Sequence, residues 1–160
     1  MHYSGITTCD VCNGEGIGVV LWVSGCDVKC KGCHNKETWD PQHGKDFDVD
    51  ALNELMCELE RPEISRLTLS GGHPLMPCNR ECVKSLIELI RDAFPHINIW
   101  LYTGYSYKDM DKDCKQICKL CDVVVEGPYI EEERDTTLEF RGSKNQNIIR
   151  YKRKKKFNNI

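Results

Sequence analysis

Apolar and polar positions change period several times along the chain, and each change marks an element. IGVVLWVSG (17–25) is a short apolar run ending in glycine, which predicts a buried strand. In DVDALNELMCELE (48–60), Val49, Leu52, Leu55, Met56 and Leu59 fall on one helical face, with Asp48 at the N-cap position. RLTLSGG (66–72) predicts a second strand closed by a Gly-Gly turn. From Asn79, NRECVKSLIELIRDAF predicts a helix with Val83, Leu86, Ile87, Ile90 and Phe94 inward and Pro95 just past its end. INIWLYTGY (97–105) predicts a third strand, residues 107–121 a third helix, and DVVVEGPY (122–129) a fourth strand with a Gly-Pro exit. Beyond it the pattern weakens. No repeat or linker interrupts the alternation, so residues 1–149 are expected to form one domain.

This β-α-β-α order predicts an α/β fold with a mostly parallel sheet and right-handed crossovers. In closed or partly open β/α barrels, chemistry gathers at the carboxyl ends of the strands. The unusual segments here all follow strands: SGCDVKCKGCHNK after the first, GGHP after the second, YTGY after the third and EGP after the fourth. Packing alone does not require such loops to converge on one rim.

Composition narrows the class. At 40% hydrophobic and 29% charged, the 160-residue chain reads as soluble and globular. No apolar run approaches the ~18 residues that span a membrane. MHYSGITTCD lacks the basic and apolar regions of an export signal, so the expected location is the cytoplasm. Cytosolic thiols stay reduced, and 11 cysteines are an odd number, so metal or redox chemistry is favoured over a disulfide framework. The net charge of −3 is uneven. RYKRKKKFNNI (150–160) carries six Lys and Arg and no acid, which leaves 16 basic and 25 acidic groups, or −9, on the rest. Such a tail could meet nucleic acid or an acidic surface; the preferred reading is a solvated, disordered terminus, with nucleic acid not expected as a partner.

Two segments share the spacing C-x3-C-x2-C: CDVKCKGC (26–33) and CKQICKLC (114–121). In the second, Met110, Cys114, Ile117, Cys118 and Cys121 follow the stripe of an amphipathic helix, which predicts core packing. The first has no apolar period. Gly25 and Gly32 let it wrap tightly, and Lys29, Lys31 and Lys36 would favour thiolates. Cys26, Cys30 and Cys33 therefore predict a soft-metal site, for an iron–sulfur cluster or zinc. For zinc, His34 could be a fourth ligand, although it adjoins Cys33; Cys9 or Cys12 could also serve. CKGCH also matches c-type haem attachment, which is made outside the cytoplasm. A [4Fe–4S] cluster held by three thiolates keeps one iron open. Cys9 and Cys12 are otherwise expected to pack on a strand, and Cys57, Cys78 and Cys82 in the core or at a helix start.

The cysteine loop followed by GG-x-P is similar to the radical S-adenosylmethionine (SAM) superfamily. NGEG (13–16), LWVSGC (21–26), CKGCHNKETW (30–39), LSGGHPL (69–75), WLYTGY (100–105), DVVVEGPY (122–129) and RGSKNQ (141–146) appear in order. Together, over about residues 9–147, they resemble the anaerobic ribonucleoside-triphosphate reductase activating proteins. The resemblance implies a truncated, partly open radical-SAM (β/α) barrel. It implies a [4Fe–4S] cluster on Cys26, Cys30 and Cys33, whose open iron takes the amino and carboxylate groups of SAM. An external one-electron donor, such as a flavodoxin-like protein, would reduce it. The resulting 5′-deoxyadenosyl radical would take hydrogen from a glycine of the reductase's catalytic subunit. SAM contacts are expected at Gly32, Cys33, His34, Gly71, Gly72 and Thr103, with His34 stacking on adenine. Tyr102 and Gly104 could line the pocket, Glu126 could meet the SAM ammonium, and Arg141, Asn145 and Gln146 could dock the partner. Two positions depart from the pattern: His73 replaces an acidic residue, and Glu15 replaces the proline of NGPG. His34 is a tyrosine in many members and is similar here to the pyruvate formate-lyase activating enzyme. The competing expectations are a small radical SAM enzyme acting on a free metabolite and a zinc-bound nucleic-acid module.

Overall fold

The structure is a computed structural model that describes residues 1–152. Its centre is four parallel strands: β2 (Gly18–Val23), β4 (Arg66–Gly71), β5 (Asn98–Tyr102) and β6 (Val123–Glu126). These are the strands expected from the apolar runs. They are buried on both faces, so they do not alternate. Around them lie β1 (His2–Asp10), β3 (Lys45–Asp46) and β7 (Asn147–Arg150), all antiparallel to their neighbours. The order is β3-β1-β2-β4-β5-β6-β7 in one open sheet. The sheet is thus mixed rather than mostly parallel. β1 escapes a period-2 reading because two register shifts break its pairing with β2 and much of it stays exposed. β7 is four residues long with both ends exposed. Two residues of the tail expected from residue 150 belong to the fold instead: Arg150 closes β7, and the Tyr151 N–H donates to the Asp122 carbonyl at 2.8 Å while its side chain packs on the core. Residues 153–160 of that tail lie outside the described residues.

Helices α1 (Val49–Leu59), α2 (Arg80–Ala93) and α3 (Lys112–Leu120) fill the crossovers. They share one core with Val19, Leu21, Val23, Leu67, Leu69, Ile99, Leu101 and Val124, so all three cover the same sheet face. Each fully buried Leu, Ile or Val contributes about 1.5–3 kcal/mol. The opposite face carries a smaller cluster of Trp100, Val123 and Val125, packed by Tyr102, Phe140 and Ile148. Asp48 caps α1 as expected, its carboxylate accepting from the Asp50 and Ala51 N–H groups. Val49 departs from expectation: at the helix start it is 67% exposed, while Ala51, Leu55 and Leu59 point inward. The third helix starts later than residue 107. Tyr107–Asp109 form a 3-10 turn, and Asp111 then caps α3 by accepting from the Cys114 N–H. Cys114, Cys118 and Cys121 are free and buried beside Met110, as the stripe predicts. Burial pushes the Cys114 thiol up to about 11 and the Cys118 thiol up to about 12.

NGEG proves to be a wrap around a buried cation. Arg66, fully buried at the amino end of β4, donates to Asp10 Oδ2 at 2.7 Å and to the Asp10, Asn13 and Glu15 carbonyls at 2.8, 2.8 and 3.2 Å. A Cβ on Gly14 would sit 2.6 Å from Arg66 Cδ. Glu15, the departure from proline, pairs with Arg150 at 2.7 Å and ties the loop to β7.

Candidate metal centre

The carboxyl ends of the four central strands meet at one cleft of about 160 Å³. Cys26, Val28, Cys30 and Cys33 line it from the loop after β2, and Trp39 from the 3-10 turn Lys36–Trp39 that follows. Ser70, Gly71 and Gly72 enter from β4, Tyr102, Thr103 and Gly104 from β5, and Gly127, Tyr129 and Gln146 from the segment after β6. The geometry therefore brings together the four loops picked out by sequence.

Backbone hydrogen bonds fix the cysteine loop. The Gly25 and Cys26 N–H groups donate to the Thr38 and Trp39 carbonyls at 2.7 and 3.1 Å. The Gly72 and His73 N–H groups donate to the Val23 and Gly25 carbonyls, both at 2.7 Å. Gly71 and Gly72 are needed for this approach. A Cβ on Gly71 would lie 2.7 Å from the Val23 carbonyl oxygen, and one on Gly72 would lie 2.6 Å from that of Gly25. Gly32 turns the loop at φ +74°, where a Cβ would meet Glu131 Cδ at 2.8 Å.

The three thiols are free and partly buried. Burial raises the Cys30 thiol, and neighbouring Cys26 and Cys33 add to the rise against the Tyr129 N–H, which lowers it. The lysines do not set this balance as expected, because Lys31 is exposed and pairs with Glu132 and Glu131 at 2.8 and 3.8 Å. Such a thiol set is completed by soft cations that draw off the protons. Among the described residues, no three His, Cys, Asp or Glu side chains are arranged to hold a single ion. Three thiols that line one cleft can each bind a different iron of a cluster. The cleft also holds an unsatisfied donor, since the buried Trp39 indole N–H has no partner among the described residues. On both counts the residues fit a [4Fe–4S] cluster with a polar ligand beside it.

Other expected residues fall differently. Thr103, Tyr102 and Gly104 line the cleft, whereas His34 is exposed and outside the lining. Glu126 turns away, accepting from the Tyr107 N–H and from Asn147 Nδ2 at 2.8 and 2.7 Å. Arg141, Asn145 and Gln146 knit their own segment together, Asn145 donating to the Pro128 carbonyl and Gln146 to that of Gly127. Cys9, Cys12 and Cys57 are exposed, which corrects the packing expected for them, whereas Cys78 and Cys82 flank the start of α2, as expected. Cys12 lines a separate groove with Phe140 and Arg141. Sequence reading did not give Trp39, Tyr129, Asp27 or Tyr105 a role, and left the place of His73 open. The cue for Trp39 and Asp27 was their position within the cysteine segment.

The match to known families agrees with this geometry. A model described as a 4Fe-4S single cluster domain matches residues 12–149. Fold and site thus define an α/β protein built around one iron–sulfur cluster. The anaerobic ribonucleoside-triphosphate reductase-activating protein of Enterobacteria phage T4 is 40% identical over 148 residues, covering 92% of this chain and 93% of that protein. Its namesake in Vibrio cholerae is 37% identical over 153 residues, covering 94% and 99%. That of Escherichia coli K12 is 35% identical over 148 residues, covering 91% and 96%. The chain belongs to the family of anaerobic ribonucleoside-triphosphate reductase-activating proteins. Among the described residues no helix is long and apolar enough to cross a membrane.

Proposed function

We propose that this protein is a cytoplasmic radical SAM activase that installs a glycyl radical on the catalytic subunit of an anaerobic ribonucleotide reductase. The observation that carries the reading is the set of three free thiols, from one loop, lining a cleft that three further strand ends complete. Cys26, Cys30 and Cys33 would hold the [4Fe–4S] cluster and leave one iron open. Once reduced by an external donor, a cluster held there would supply one electron to the sulfonium of SAM, with the C–S bond breaking to methionine and a 5′-deoxyadenosyl radical that would take hydrogen from the partner's glycine. The backbone at Gly71 and Gly72 would receive the amino-acid end of SAM, and Thr103 would add a side-chain contact. The Trp39 N–H would find its acceptor on the cluster or on SAM. Gly32 shapes the loop under Glu131, and His34, exposed, takes no part in this reading. On this reading, the open sheet with helices on one face would be a truncated barrel of that superfamily. A flavodoxin-like protein is the fitting class of electron donor.

Anaerobic reconstitution with iron and sulfide, followed by SAM, reductant and the reductase, tests the proposal. The expected result is an EPR doublet from a glycyl radical on the reductase. Stoichiometric zinc without labile sulfide, or a silent reductase beside a reducible cluster, would overturn it.

A further inference from the structure

The GGHP turn buries a histidine that touches neither the cleft nor solvent. His73 is 1% exposed. Its Nδ1 lies 2.7 Å from Asp27 Oδ1, and its Nε2 lies 2.8 Å from Thr103 Oγ1. The Tyr105 hydroxyl donates to the other Asp27 oxygen. The Tyr105 ring meets His73 edge-on, with centroids 4.1 Å apart. Four side chains from three strand ends thus form one network. Asp27 directly follows the cluster ligand Cys26, and Thr103 lines the cleft.

The protons in this network can be placed. Asp27 as a carboxylate only accepts, so the ring proton sits on Nδ1. Burial lowers the His73 pKa, against the raising effect of Asp27, which favours the neutral ring. Nε2 is then an acceptor, and the Thr103 hydroxyl must donate to it. One Thr103 lone pair takes the Tyr105 N–H at 3.2 Å. The other is left without a proton beside it, so Thr103 meets the cleft as an acceptor only. The cation it suits is a protonated amine.

We propose that His73 is a positioning residue with two separable outputs. Through Asp27 it pins the cluster loop to the ends of β4 and β5. Through Thr103 it fixes a hydrogen-bond acceptor for the ammonium group of the amino-acid ligand. The Asp27 carboxylate that His73 engages sits on the cluster loop itself, one residue past Cys26. The inference rests on the cluster and SAM reading above.

Four variants of the full chain test it: His73→Phe, Tyr105→Phe, Thr103→Val and Thr103→Ser. Each is reconstituted anaerobically. Iron release to a chelator is timed, and the SAM-induced change in the EPR spectrum of the reduced cluster is titrated. Partners that orient metal ligands typically change affinity by about 10–100-fold when lost. His73→Phe is expected to release iron about tenfold faster and to need about tenfold more SAM. Tyr105→Phe, which loses the hydroxyl contacts with Asp27 and Arg80 but leaves the His73–Thr103 pair in place, should hasten iron release with the SAM midpoint unmoved. Thr103→Val should raise the SAM midpoint with iron release as in the wild type, and Thr103→Ser should restore it. A purely structural network would move both readouts together in every variant, and that result would overturn the proposal. So would wild-type behaviour of His73→Phe. If His73→Phe does not fold, Tyr105→Phe and Thr103→Val test the two outputs separately. A wild-type chain that takes up no iron and sulfide overturns the cluster reading and this proposal with it. Normal loading with unmoved variants overturns the proposal alone.

Discussion

Cys30 and Cys118 are each the middle thiol of a C-x3-C-x2-C run, and their surroundings give them opposite chemistry. Cys118 lies on α3 with its sulfur 3.7 Å from the Met110 sulfur, and burial, helped by neighbouring Cys114, pushes its thiol up to about 12. A thiol held protonated in an apolar core is inert. Cys118→Ala should therefore cost about 1–2 kcal/mol of stability, as a small core truncation, measured by urea unfolding. Its iron and sulfide content after reconstitution should equal that of the wild type. Cys30 opens on a cleft with two more thiols. Cys30→Ala should abolish reductive SAM cleavage, assayed as 5′-deoxyadenosine release, while the apo protein melts close to the wild type. Iron loss in the Cys118 variant would show that the wrong triplet was assigned. Apolar period alone separates these two runs, so that distinction was readable in the sequence. The His73–Asp27 contact was not: the partners are 46 residues apart, and only the crossover brings them together.

The wrap around Arg66 shows how a loop can look functional for a structural reason. Gly14 in the wrap and Gly18 at the start of β2 clear room for a buried guanidinium, and four carbonyl or carboxylate groups satisfy that cation at the end of β4 remote from the cleft. Burial would raise the Asp10 carboxyl, but the hydrogen bonds from Arg66 and Asn13 outweigh it and hold the group below its ordinary value. A carboxyl so lowered adds stability in full above the unfolded value of about 3.9. That stability drains as pH falls through the folded value. Wild-type stability should therefore fall steeply below about pH 4, and Asp10→Asn should flatten that fall while lowering stability at neutral pH. Chemical denaturation at stepped pH checks both; an unchanged acid slope in Asp10→Asn would refute the assignment. Asp10→Ala, which strands the buried cation more severely, should cost about 3 kcal/mol. Helices α1 and α2 were readable because each presents a continuous apolar stripe. β1 and β7 were not, because half-exposed strands with bulges carry no clean period, and their pairing is set by distant partners.

The sheet divides the molecule between stability and chemistry. The main core lies between the helices and one sheet face, and no side chain from residues 24–44 belongs to it. The cluster loop is instead tied down by backbone hydrogen bonds to neighbouring turns and by the Asp27 network. Small metal domains unfold without their metal because the metal replaces a core. A chain of this size with a continuous core does not depend on one. The Cys26→Ser, Cys30→Ser, Cys33→Ser triple variant should thus keep its far-UV circular dichroism and unfold in one cooperative urea transition. In native-state hydrogen exchange, amides of β2, β4 and β5 should stay protected, while those of residues 26–34 exchange faster than in the cluster-loaded wild type. Loss of protection in the central strands would mean that cluster and core form one cooperative unit. Protection retained there, with exchange confined to the loop, would mean that the sheet provides a preformed rim on which the cluster assembles.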